Sequence, residues 1–219
     1  MRKLTTPLIG LSAGMLFVAP WIIDAAPYES TMGLVQKIFY FHFPAAILFL
    51  ISAIVCGIAS LRFLFFKKAS ADAWAVASAE LGLVFGAMTL VTGPLWARKA
   101  WGVWWVWDPR LTMSLVLFLI FAAYSILRKY GGPGSERLAA GMALFGMLNV
   151  PFIYVSVNIW RTLHPMTSVV PTLPTEFGIP LWFCFAAFTM LFVALLNVRA
   201  TLALHEARVE ALYLDEDEA

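Results

Sequence analysis

The sequence predicts an all-α, polytopic integral membrane protein with six transmembrane helices, both termini in the cytoplasm, and a tryptophan-rich interfacial segment on the outer face. Three observations carry that reading. First, 62% of the 219 residues are hydrophobic and only 13% are charged, with a mean hydropathy of +0.84. A soluble domain holds about 45–50% apolar and about 25% charged residues, so this excess has no ordinary core to fill. Second, the apolar residues gather into six uncharged or nearly uncharged runs of membrane-crossing length. Third, Lys and Arg divide unevenly between the connecting segments.

Taken in order, the expected crossings are residues 7–23, 44–66, 75–97, 111–127, 138–159 and 177–198. Within them only Arg62 and Glu80 are charged, each near one end, where a long side chain can reach the interface. The first run follows Arg2 and Lys3 and precedes Ala25-Ala26, which also resembles a secretory signal; its 17 residues exceed an h-region of roughly 7–15, so a retained helix is expected. Six crossings of about 20 residues use roughly 120 positions. No folded soluble domain fits in the remainder, and residues 1–219 are read as a single membrane domain with an acidic tail over 199–219.

With the N-terminus inside, the inner segments hold Arg2, Lys3, Arg62, Lys67, Lys68, Arg128, Lys129, Arg137, Arg199 and Arg208. The outer segments hold Lys37, Arg98, Lys99, Arg110 and Arg161, half as many, which places both termini in the cytoplasm. Asp215 to Glu218 then form a solvated inner tail. A net charge of +2 is too small to imply a nucleic-acid partner, and nine Trp with eighteen Phe are too many for disorder. Cys56 and Cys184 both lie inside apolar runs, so neither a disulfide framework nor a cysteine metal site is indicated. The chain has no internal repeat, phosphate loop, GxGxxG fingerprint or HExxH motif, so energy from ATP would come from another subunit.

Three of the outer cations crowd one segment. From Trp96 to Thr112 the chain reads WARKAWGVWWVWDPRLT, with Trp96, Trp101, Trp104, Trp105 and Trp107 in twelve positions. One reading is an aromatic belt at the membrane interface. The other is a ligand platform: on a short interfacial helix Trp101, Trp104, Trp105 and Asp108 would share a face, and Pro109 would turn the chain into the fourth crossing with Arg110 just inside it. Indole rings flanked by Arg98, Lys99 and Arg110 would suit a large flat ligand with carboxylates at its edge.

His205 reads as a solvated residue of the tail. His42 in FYFHFP and His164 in RTLHP both fall at outer ends of crossings, each close to a proline. Either taken separately reads as a capping or interfacial residue, but in a six-helix bundle both can converge on the face that carries the tryptophans. Pro44 as a first-turn residue would put His42 at or just before a helix N-terminus, where the positive dipole end favours the neutral imidazole that metals require. Pro165 biases His164 toward an extended backbone. With no outer Cys and few outer carboxylates, two His beside an aromatic platform fit haem better than a free divalent ion. A bis-His electron-transfer subunit and a transporter subunit with interfacial Trp and His remain open on this evidence.

The residues from Trp101 to Thr112, WGVWWVWDPRLT, closely resemble the "WWD" signature of haem-handling membrane proteins that serve cytochrome c maturation. Lys37 to Ile47 (KIFYFHFPAAI) and Leu148 to Ser168 (LNVPFIYVSVNIWRTLHPMTS) are similar to the CcmC family at every landmark. Six crossings in 219 residues separate that family from its larger relatives CcmF and CcsA. The resemblance implies that His42 and His164 are axial ligands of haem b and that the segment 96–112 forms the haem-contacting surface. Trp101, Trp104, Trp105 and Trp107 would supply its rings, Arg98, Lys99 and Arg110 would neutralise the propionates, and Asp108 would orient a cation or cap the fourth crossing. It also implies presentation of haem to the chaperone CcmE and association with the ATP-binding cassette pair CcmA and CcmB and with CcmD. The positive-inside count and the short, compact chain favour a bacterial inner membrane with the haem site facing the periplasm. A carrier rather than an enzyme is expected, and the acidic tail has no assigned role.

Overall fold

The computed structural model describes residues 2–160 and 162–217. Six long helices account for nearly all of them: α1 (Arg2–Ala25), α2 (Phe39–Phe66), α3 (Ala69–Trp101), α4 (Pro109–Tyr130), α5 (Ser135–Ile159) and α6 (Thr175–Asp217). Single 3-10 turns at Leu34–Ile38 and Val170–Thr172 lead into α2 and α6. All six helices are long and apolar enough to cross a membrane. Arg161 and Glu218, counted above among the outer cations and the acidic tail, lie outside the described residues.

The bundle is built around α2, which packs on α3, α5 and α6, while α1 lies against α6 and α4 against α5. Helices in lipid gain little from apolar burial against each other, so close approach through small residues has to supply the packing. Ala71, Ala73, Ala75, Ala77 and Ala79 are buried along α3. A Cβ on Gly82 would stand 2.5 Å from the Phe121 ring of α4, and one on Gly86 would stand 2.8 Å from Phe49 of α2, so glycine is required where those rings cross α3.

The helices joined by the two-residue link Lys67-Lys68 and by the Gly131–Gly134 turn define one end of the bundle. There Arg128 of α4 bonds Asp72 of α3 at 2.5 Å, and Arg199 of α6 bonds both Glu80 of α3 and, at 3.0 Å, Glu206. Glu80 is thus held by an ion pair as well as lying near the end of its run. At the opposite end lie the longer α1–α2, α3–α4 and α5–α6 links, tied in part by Lys37, whose Nζ donates to the Asp24 carbonyl at 2.8 Å and lies 4.6 Å over the Tyr28 ring.

All six helices extend past the expected bounds, three of them with consequences. α2 begins at Phe39, so His42 and Pro44 lie inside it rather than at its N-terminus; the preceding 3-10 turn runs straight into the helix, and Pro44 forfeits one backbone bond there. α3 continues past Ala97 to Trp101 and takes Arg98 and Lys99 onto its last turn. α6 continues through the acidic stretch to Asp217, because nothing between Val198 and Asp217 is Gly or Pro and most of the residues are good helix formers. At 43 residues, or about 65 Å at 1.5 Å per residue, α6 is far longer than a bilayer crossing.

Candidate functional site

At the end of the bundle with the longer links, α2, α3, the start of α4 and the α5–α6 link enclose one apolar cleft. Its walls carry His42 of α2, Gly93, Trp96 and Trp101 of α3, Trp105 of the α3–α4 link, Arg110 of α4, and His164 of the α5–α6 link. The cleft is a narrow slot whose empty space, including the open mouth, is about 740 Å³. Phe49, Leu50 and Ile153 line its interior, leaving polar groups to the two histidines, Arg110 and a few hydroxyls.

The expected interfacial tryptophan helix does not form. Gly102 ends α3 in a left-handed conformation (φ 76°), and the chain then runs irregularly to Asp108, which is extended before Pro109 as the residue preceding a proline prefers. Trp101, Trp104, Trp105 and Asp108 therefore do not share a helical face. Instead the aromatic residues divide: Trp101 and Trp105 line the cleft, whereas Trp104 and Trp107 lie outside its lining, 56% and 77% exposed. Trp105 and Trp107 meet edge to face at 5.7 Å. The indole N–H of Trp105 is buried and has no hydrogen-bond partner.

The cations divide likewise. Arg98 and Lys99 are exposed; the Arg98 guanidinium donates to the Gly102 carbonyl and lies 5.9 Å from the Trp104 ring centre, bracing the end of α3. Arg110 faces the cleft and, among the described residues, makes no ion pair. Asp108 caps α4, accepting from the Leu111 N–H at 2.8 Å, and Pro109 takes the first helical position as expected. The other Asp108 oxygen is buried and unpartnered.

Each histidine is seated by one tryptophan. The ring centres of His42 and Trp96 are 5.9 Å apart with their planes at 65°, and those of His164 and Trp101 are 6.4 Å apart. His42 Nδ1 lies 2.9 Å from the Thr92 hydroxyl. His164, in a non-helical bend, places Nδ1 3.1 Å from the Pro165 carbonyl; a carbonyl only accepts, so this nitrogen carries the proton and Nε2 keeps its lone pair. Burial, reinforced by the Arg110 charge, lowers the His164 pKa to about 3, with the Pro165 carbonyl opposing the shift. The ring is neutral across the physiological range, as metal ligation requires.

Among the described residues no three His, Cys, Asp or Glu side chains converge as a metal cage. Two imidazoles suit an iron whose remaining positions are filled by a macrocycle, and the slot, the indole walls and the unpaired Arg110 suit the rest of such a ligand. Thr92, Gly93 and the role of Trp96 escaped the sequence reading. The available signal was the Gly93-Pro94 pair inside a crossing, which marks close backbone approach rather than ordinary helix.

Fold and cleft together define a polytopic helical membrane protein with a two-histidine, tryptophan-walled slot at one end of the bundle. The sequence matches the family model described as "Heme exporter protein C" over residues 1–215, and the chain belongs to that family. It is 40% identical to the Heme exporter protein C of Bradyrhizobium diazoefficiens over 176 residues, covering 78% of this chain and 67% of that one. It is 33% identical over 166 residues to the Heme exporter protein C of Escherichia coli K12, covering 72% and 66% of the two chains. At 33% over 189 residues, covering 83% and 78%, it is also similar to a mitochondrial protein of Marchantia polymorpha whose name gives it as ccmC-like and assigns it to cytochrome c biosynthesis.

Proposed function

We propose that the chain holds haem b in this slot, with His42 and His164 as the two axial ligands, and delivers it to the haem chaperone CcmE. Membership in the family makes the chain a membrane component of haem handling in cytochrome c maturation. The observation that carries the finer reading is the meeting of His42 and His164, 122 positions apart in sequence, in one apolar cleft beside Arg110. An unpaired cation in a largely apolar site is costly, by several kcal/mol when desolvation is complete, and a propionate offsets that cost with paired hydrogen bonds. Trp101 and Trp105 flank the macrocycle, the free indole N–H of Trp105 is a second donor, Asp108 caps the helix that carries Arg110, and the exposed Trp104, Trp107, Arg98 and Lys99 offer the surface over which a chaperone docks.

The slot opens at the periplasmic face of a bacterial inner membrane in this reading, supported by the excess of Lys and Arg in the opposite segments. CcmA, CcmB and CcmD are the companions that the family resemblance implies, and the chain carries no nucleotide-binding motif of its own. Delivery sets an upper limit on affinity, because each tenfold in binding adds about 1.4 kcal/mol to release. An open mouth leaves the haem edge accessible and serves that need.

The test is haem absorption of the purified full-length protein carrying His42→Ala, His164→Ala or both. Each single variant is expected to lose the bis-His low-spin spectrum, and the double variant to be colourless. Full haem content in the double variant would overturn the assignment, and rapid turnover with a quinol would favour electron transfer over delivery.

A further inference from the structure

We infer that Thr92 is a positioning residue for His42, its hydroxyl holding the imidazole in the tautomer that leaves Nε2 free for iron. This rests on the haem-holding role proposed above and adds to it a group that does not itself touch the ligand. The Thr92 Oγ1 lies 2.6 Å from the Met88 carbonyl one turn back on α3 and 2.9 Å from His42 Nδ1. A hydroxyl has one proton, and a carbonyl can only accept. The proton is therefore committed to Met88, and the contact with His42 requires Nδ1–H as donor and Thr92 as acceptor. Only one nitrogen of a neutral imidazole carries hydrogen, so Nε2 keeps the lone pair.

The neighbouring residues fit that purpose. A Cβ on Gly93 would stand 3.3 Å from His42 Cε1, the carbon between the two nitrogens, so glycine at 93 lets the ring lie close along the α3 backbone. Trp96 closes the other side. His164 reaches the same tautomer through the Pro165 carbonyl, so both histidines present Nε2, one oriented by backbone and one by a removable side chain. A hydroxyl acceptor also draws less electron density onto the ring than a carboxylate partner would, giving a weaker iron bond, which suits a carrier that must release its cargo.

The experiment compares native protein with Thr92→Val and Thr92→Ser, titrating each purified full-length chain with haemin and recording its absorption and reduction potential. Loss of a partner of this kind typically weakens metal binding 10- to 100-fold. Thr92→Val is expected to fall in that range, with a shifted potential and a diminished low-spin spectrum, and Thr92→Ser to restore all three. A helix-packing role alone would lower thermal stability and leave spectrum and potential unchanged. Native affinity, spectrum and potential in Thr92→Val would overturn the inference, as would a Ser variant no better than Val.

Should Thr92→Val fail to accumulate, His42→Gly with native Thr92 decides the matter. Added imidazole, which can donate to Thr92, is expected to restore the bis-ligand spectrum at lower concentration than 1-methylimidazole, which cannot. Equal concentrations would overturn the inference. Haem retained by the double His→Ala variant sinks the underlying assignment instead, so the two failures are distinguishable.

Discussion

Gly93 separates binding from stability in one substitution. In Gly93→Ala the new methyl would stand 3.3 Å from the His42 ring, tighter than most real contacts, so the imidazole has to give by a few tenths of an ångström. Even a full off-rotamer turn of ~30° costs only about 0.5–1.5 kcal/mol, so the expected loss of haem affinity stays within roughly 10-fold. The backbone effect runs the other way, because Ala favours a helix interior over Gly by about 0.5–1 kcal/mol. Weaker haem binding with an unchanged or raised melting temperature is therefore expected from titration and thermal unfolding of the same preparation. Undiminished affinity would mean that the ring is free to move, contrary to its seat against α3. Neither Gly93 nor Thr92 was legible as a site residue, since a Thr-Gly-Pro stretch in a crossing names no ligand until the ring beside it is located.

The link between α3 and α4 shows how local chemistry governs an element. The i, i+3, i+4, i+7 spacing of Trp101, Trp104, Trp105 and Asp108 suits a helix, but Gly102 at positive φ and the extended residue before Pro109 leave too little chain between them for one. Asp108 starts α4 instead, and in doing so places Arg110 in the first turn, facing the cleft. Replacing Asp108 with Ala removes the cap and is expected to cost about 1 kcal/mol, whereas Asn caps about as well and should retain native stability. Thermal melting of the three proteins checks this order. Haem affinity that falls equally in Asn and Ala variants would point to the carboxylate charge rather than the cap.

Across the whole molecule the two ends are unlike. One is closed by ion pairs among Asp72, Arg128, Glu80, Arg199 and Glu206, and the other holds the apolar slot and the exposed Trp104 and Trp107. The proposed orientation predicts which end meets the periplasm. A membrane-impermeant maleimide should label Ser168→Cys in intact cells and Ser70→Cys only after permeabilisation, both positions being exposed. Cys56 and Cys184 are fully buried and give a quiet background. The reverse labelling pattern would invert the topology and move the slot to the cytoplasmic side.

By itself the sequence determined the six crossings, because a lipid environment forces long apolar helices and punishes every charge, so composition and run length suffice to find them. It also singled out His42, His164, Trp101, Trp105 and Arg110, residues whose chemistry is unusual for their positions. Tertiary structure alone decided that these five line one slot while Trp104, Trp107, Arg98 and Lys99 stand exposed outside it, and that Thr92, Gly93 and Trp96 seat one imidazole. The first division follows from where Gly102 ends α3, and the second from how closely α2 approaches α3, a contact between residues 50 positions apart that no local pattern encodes.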